Sequence, residues 1–344
     1  MTICWNSATE HKAGCPPRFL LYYFVHQPEH RISSTIVRPS ILPLALLLGI
    51  SHSPVFAAEE TVLQVFASVL PVQTFVDEVG DGRVETRVMV VPGQSPATYD
   101  PSPKQVAALA DAELYVRVGV PFEDAWMKRI RAANPAMAVL DLRDGLDLRP
   151  QTAHDHGADD AHGHHHHEHE AMDPHIWTSP PNVRTMLVSI RDQLTALDPD
   201  GSSVYERNRQ RYDAELQRLD TWLEETLSDL DHRAFLVYHP AWGYFADTYG
   251  LEQVPIERAG KEPGPRRLSA LIEQAKAVGA RAIFVQPEFD QRIAEQIARS
   301  IDGRVEVATP LAVDYVANLK RFARILVDAN QAPETAKTTA PDGH

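Results

Sequence analysis

Tyr205, Tyr212, Leu216, Leu219, Leu223, Leu227 and Leu230 recur at steps of three, four and seven, which puts them on one face of a single helix. Just upstream, Ser203 and Glu206 have the spacing of a capping box, where two side chains satisfy free amides of the first turn. At 1.5 Å per residue this helix reaches roughly 40 Å, enough to cross a whole domain. A coiled coil is the weaker reading, since the repeat ends after about four heptads.

On both sides of this helix the pattern alternates strand and helix. Upstream, strands are expected at Val62–Ser68, Val84–Val91, Leu114–Val118 and Ala138–Leu142. Helices are expected at Pro71–Val79, after Ser102-Pro103 and at Phe122–Ala132. Ser179-Pro180 opens another helix that runs to Leu197, where Asp198-Pro199-Asp200-Gly201 breaks it. Downstream, strands fall at Ala234–Tyr238, Gln253–Ile256, Ala282–Gln286 and Val305–Ala308, with helices between and after them. Repeated strand–helix units of this size form parallel sheets covered by helices. The expected fold class is therefore α/β, with two lobes joined by one long backbone helix and a cleft between them. The boundaries follow: a first lobe over 58–178, linking helices over 179–230, a second lobe over 231–330 and a flexible tail over 331–344.

Eight histidines, His154, His156, His162, His164, His165, His166, His167 and His169, fall within sixteen residues. Asp155, Asp159, Asp160, Glu168 and Glu170 alternate with them, and no apolar residue in the stretch is larger than alanine. A segment over 154–170 with this composition cannot bury itself and is expected to be a mobile loop. Neutral imidazole is the commonest protein ligand for borderline-soft divalent metals. The chain is expected to handle a metal ion, zinc before manganese.

The run Ile41–Ile50 is apolar, preceded by Arg38 and followed by Val55-Phe56-Ala57-Ala58. A basic flank, a short apolar core and small residues at the end are the marks of a cleavable export signal, with cleavage near Ala57 or Ala58. The run is short for a membrane span. Residues 1–35 are read as an upstream extension. Both cysteines, Cys4 and Cys15, precede the signal, so the exported chain has no disulfide, thiolate metal site or cysteine nucleophile. Removing residues 1–57 takes four basic and two acidic residues, which leaves 29 Lys and Arg against 45 Asp and Glu, a balance of −16. Nucleic acid needs a basic footprint and is excluded as a partner. A monomer free in the periplasm is the expectation.

Ligands of α/β sheets bind beyond the carboxyl ends of the strands. His175 and His239 both fall at such places, one per lobe. Either histidine alone would more often be structural; together, beside a histidine-rich segment, they form a pair of ligand candidates. Asp173-Pro174-His175-Ile176-Trp177 and Tyr238-His239-Pro240-Ala241-Trp242-Gly243-Tyr244-Phe245 resemble the metal-site motifs of the periplasmic solute-binding proteins that feed zinc and manganese ABC importers. Pro92–Pro101 and Ile283-Phe284-Val285-Gln286-Pro287 resemble the same family, in the same order, over residues 60–330. The resemblance implies two lobes bridged by a rigid helix, a metal held between them and a membrane permease as partner. The histidine tract just before Asp-Pro-His, and a histidine at 239, resemble the zinc members.

Two positions depart from the family pattern. Ala97 stands where the family carries a ligand histidine, and Thr309 where it carries an aspartate. Zinc sites usually have three or four protein ligands, so His175 and His239 need completing. A histidine of the tract, a carboxylate (Asp100, Glu257, Glu262 or Glu288 by motif position) or water could do so. Trp177 and Trp242 are expected to wall the cleft. The favoured function is metal capture for an importer, without enzymatic chemistry. A periplasmic zinc buffer or chaperone stays open, as does a metal-dependent hydrolase, although no His-Glu-x-x-His helix is present.

Overall fold

A computed structural model describes residues 62–151, 172–258 and 260–331. The expected export signal, the histidine tract 154–169 and residues 332–344 lie outside the described residues. The first sheet contains β1 (Leu63–Ala67), β2 (Val84–Val88), β3 (Leu114–Arg117) and β4 (Ala138–Asp141), all parallel, in the order β2-β1-β3-β4. Helices α1 (Leu70–Gly80), α2 (Pro103–Ala108) and α3 (Pro121–Ala133) connect them. The second sheet, β5 (Ala234–Val237), β6 (Glu252–Pro255), β7 (Ala282–Val285) and β8 (Arg304–Val307), repeats the plan as β6-β5-β7-β8. Its helices are α6 (Gly243–Thr248), α7 (Pro265–Ala277) and α8 (Arg292–Ser300), and α9 (Tyr315–Gln331) follows. This is the expected two-lobed α/β fold. In each lobe chain order reverses beside the first strand, between β1 and β3 or between β5 and β7, and ligands bind at such switch points.

Between the lobes run α4 (Pro180–Leu197) and the 26-residue α5 (Ser202–Leu227). Tyr205, Tyr212, Leu216, Leu219, Leu223 and Leu227 are all buried, so the predicted apolar face is the packed one. The helix packs against α4, α1 and α9. The predicted capping box does not form. Glu206 instead receives Arg209, Gln210 and, from α4, Arg191. Charge-assisted bonds to two guanidinium groups outcompete a single amide. The turn entering α5 is held by Asp198, which accepts from the Gly201 amide and pairs with Arg83 at 2.7 Å.

Period-two alternation along β5 and β7 divides the second lobe's interior. Phe235, Val237, Ala282 and Phe284 join the large core shared with the long helix and α9. Leu236, Tyr238, Ile283 and Val285 face a second core beneath α7 and α8. Trp242 belongs to the first core: it stacks on Phe322 of α9 at 3.8 Å and is 1% exposed, rather than walling the cleft.

Candidate metal centre

His239 lies two residues past the end of β5, so strand geometry delivers it to the carboxyl edge of the second sheet. His175 precedes a single 3-10 turn, Ile176–Thr178, which leads into α4. The two imidazoles meet between the lobes with ring centroids 5.3 Å apart and planes at 73°. The Trp177 and His175 rings meet edge-on with centroids 5.4 Å apart, and Phe289 stacks on His239 at 5.3 Å.

Each ring has one nitrogen committed to a carboxylate. His175 Nδ1 lies 2.8 Å from Asp173 Oδ1, which also accepts the His175 backbone amide at 3.0 Å. Burial alone would raise the Asp173 carboxyl; the His175 imidazole and amide and the Arg149 charge outweigh it and hold it below the usual carboxylate range. Burial also pushes His175 below its ordinary value, with Asp173 opposing, so the ring favours its neutral form. A carboxylate can only accept, so the proton sits on Nδ1 and the Nε2 lone pair is left to face a ligand. His239 repeats the arrangement, with Nδ1 2.5 Å from Glu257 Oε1. Such carboxylate–histidine pairs orient metal-binding imidazoles.

The other expected ligands are placed differently. Glu257 is buried and engaged with Nδ1 of His239, the position of an orienting group. Asp100 and Glu262 are exposed. Glu288 is half-buried; burial raises its carboxyl, and the nearby His239 partly offsets that rise. It lines a cavity of about 200 Å³ between the lobes, with Leu70, Val91 and Thr309. Among the described residues, no three His, Cys, Asp or Glu side chains converge as a metal-holding group. Ala97 is exposed, and the Thr309 hydroxyl is occupied by the Leu311 amide at 3.0 Å. The eight tract histidines lie outside the described residues.

Two functional neighbours were missed in the sequence. Asp173, two positions before His175, has the short spacing of an orienting carboxylate and could have been found. Arg149, which bonds Asp173 Oδ2 at 3.1 Å, is 24 residues upstream of it and carries no spacing signal.

Residues 65–329 match the family described as "Zinc-uptake complex component A periplasmic". The high-affinity zinc uptake system protein ZnuA of Bacillus subtilis is 30% identical over 253 residues, 72% of this chain and 78% of that protein. ZnuA of Paracoccus denitrificans is 29% identical over 331 residues, 85% of this chain and 98% of the relative. A crystal structure of ZnuA superposes with a TM-score of 0.72 at 36% identity, covering 78% of this chain and 99% of that one. With paired imidazoles at the interlobe cleft and the family match over most of its length, the chain belongs to the periplasmic zinc-uptake component A family.

Proposed function

We propose that the protein captures Zn²⁺ in the periplasm and delivers it to an ABC importer permease in the inner membrane, acting as a monomer and without catalysing a reaction. The carrying observation is the separation of the two rings. A zinc–nitrogen distance of about 2.0–2.1 Å and about 1.2 Å from nitrogen to ring centre put each centroid about 3.2 Å from the ion. A tetrahedral angle then separates the two centroids by roughly 5.2 Å, and His175 and His239 stand 5.3 Å apart. Both would ligate through Nε2. A tract histidine, Glu288 or water completes the shell, and the tract concentrates the ion near the cleft. The family match favours import over zinc buffering and over hydrolysis. Release follows from small lobe movements or from protonation, since ligation needs neutral imidazole.

The test is chelator-competition titration of wild type, His175→Ala, His239→Ala and a chain lacking residues 154–169. Either alanine variant is expected to lose the tight site, while the deletion lowers stoichiometry or affinity. A tight site persisting in both alanine variants overturns the ligand assignment. A deletion strain that grows normally under chelation overturns the transport role.

A further inference from the structure

The two oxygens of the Asp173 carboxylate have separate partners. Oδ1 takes the His175 ring and amide, and Oδ2 takes Nη1 of Arg149 at 3.1 Å. Asp173 is 3% exposed, so its orientation depends on what it touches. Arg149 is in turn fixed from the opposite lobe. Its Nε stands 3.0 Å from Asp247 Oδ2 on α6, an ion pair off the hydrogen-bonding direction. Its guanidinium lies over the Tyr244 ring at 5.9 Å, and its backbone amide donates to the Tyr244 hydroxyl at 3.1 Å. That hydroxyl donates to the Asp173 carbonyl at 3.0 Å, and the Asp173 amide donates to the Arg149 carbonyl at 3.0 Å.

Gly243 forms the floor of this arrangement. A Cβ there would lie 1.3 Å from Arg149 Nη1 and 2.7 Å from Asp173 Oδ2. Only a residue without a side chain lets the guanidinium reach the carboxylate. Tyr244 and Asp247 belong to the helix that follows His239, so the chain of contacts runs from one imidazole's carboxylate to the segment carrying the other.

From this geometry we infer that Arg149 is a positioning residue of the metal centre, fixing Asp173 against His175 and tying that assembly to the helix that follows His239. The inference rests on the reading of His175 and His239 as ligands. Its chemistry requires arginine: one planar fork addresses Asp173 and Asp247 from different nitrogens while lying on a ring, which a lysine ammonium cannot do. Loss of an outer partner of this kind weakens metal affinity roughly 10- to 100-fold.

The full exported chain is used as Arg149→Ala, Arg149→Lys, Asp247→Asn and Gly243→Ala, with His175→Ala in parallel. Zinc affinity by competition, zinc release rate and the visible spectrum of the Co²⁺ form are measured beside metal-free unfolding. Arg149→Ala is expected to lose roughly 10- to 100-fold in affinity, release zinc faster and shift the Co²⁺ bands. Arg149→Lys should recover only part of the affinity, Asp247→Asn should lose less, and Gly243→Ala should reproduce the Co²⁺ shift. A merely structural arginine would lower the unfolding midpoint and leave the spectrum and affinity of the folded variant at wild-type values; that result overturns the inference. If Arg149→Ala does not fold, wild-type affinity and spectrum in both Arg149→Lys and Asp247→Asn overturn it. If His175→Ala itself binds zinc as wild type does, the ligand reading fails instead.

Discussion

Trp177 donates its indole Nε1–H to the carbonyl of Pro310 at 2.9 Å, across 133 positions of sequence. Trp177 lies within the turn that His175 precedes, and Pro310 follows Thr309 in the second lobe. The bond fastens the first lobe's histidine segment to the second lobe's late motif. It is buried, so neither partner has water as an alternative.

Trp177→Phe keeps most of the ring but leaves the Pro310 carbonyl without its donor. An unsatisfied buried acceptor costs about 1–3 kcal/mol. Denaturant unfolding of the metal-free protein should show a lower midpoint with an unchanged slope. A midpoint equal to wild type would mean that Pro310 finds another donor and that the bond contributes nothing to stability.

Glu257 is read as an orienting group because its Oε1 lies on Nδ1 of His239. Glu257→Gln tests this without changing size. An amide can donate as well as accept, so it also supports the tautomer with the proton on Nε2, which cannot ligate. Zinc affinity is expected to fall roughly 10- to 100-fold, with little change in metal-free stability. Unchanged affinity measured by chelator competition would show that the contact does not set the tautomer.

Much of this fold is legible in the sequence. The apolar steps from Tyr205 to Leu227 repeat within one helix and depend on no distant partner, so they reported α5 correctly. The alternating strands did the same for both sheets. Position relative to strand ends points to His175 and His239 only as a pair, beside the histidine-rich segment and within motifs that resemble a metal-binding family. What escaped was set by partners remote in sequence. Glu206 looked like a capping residue because Arg191, on another helix, is invisible to local spacing. Trp242 looked like a cleft wall because Phe322 of α9, which it stacks on, is 80 residues away. Motif position marks Glu257 as a candidate ligand, and only the fold reveals that its oxygen meets Nδ1 of His239.

Glu123 offers a pH test of the first lobe that is independent of metal. It is fully buried at the start of α3, where Oε2 accepts the amides of Val118, Gly119 and Val120 and Oε1 accepts the Tyr115 hydroxyl. Gly119 makes the tight turn possible at φ +82°, where a Cβ would strike Arg143 at 2.4 Å. Burial dominates: despite Arg117 nearby and these donors, the carboxyl is pushed up to about 7 from 4.5. A folded-state value above the unfolded one means the native state binds the extra proton between those two values. The stability this group contributes is then complete below pH 4.5 and declines as pH rises toward 7. The shift corresponds to about 3 kcal/mol. Subtracting the unfolding free energy of Glu123→Gln from that of wild type cancels the other titrating groups. The difference is expected to fall by about 3 kcal/mol between pH 4 and pH 8. A difference that stays flat over that range would mean the folded carboxyl titrates as the unfolded one does, with its three amides and Arg117 offsetting burial.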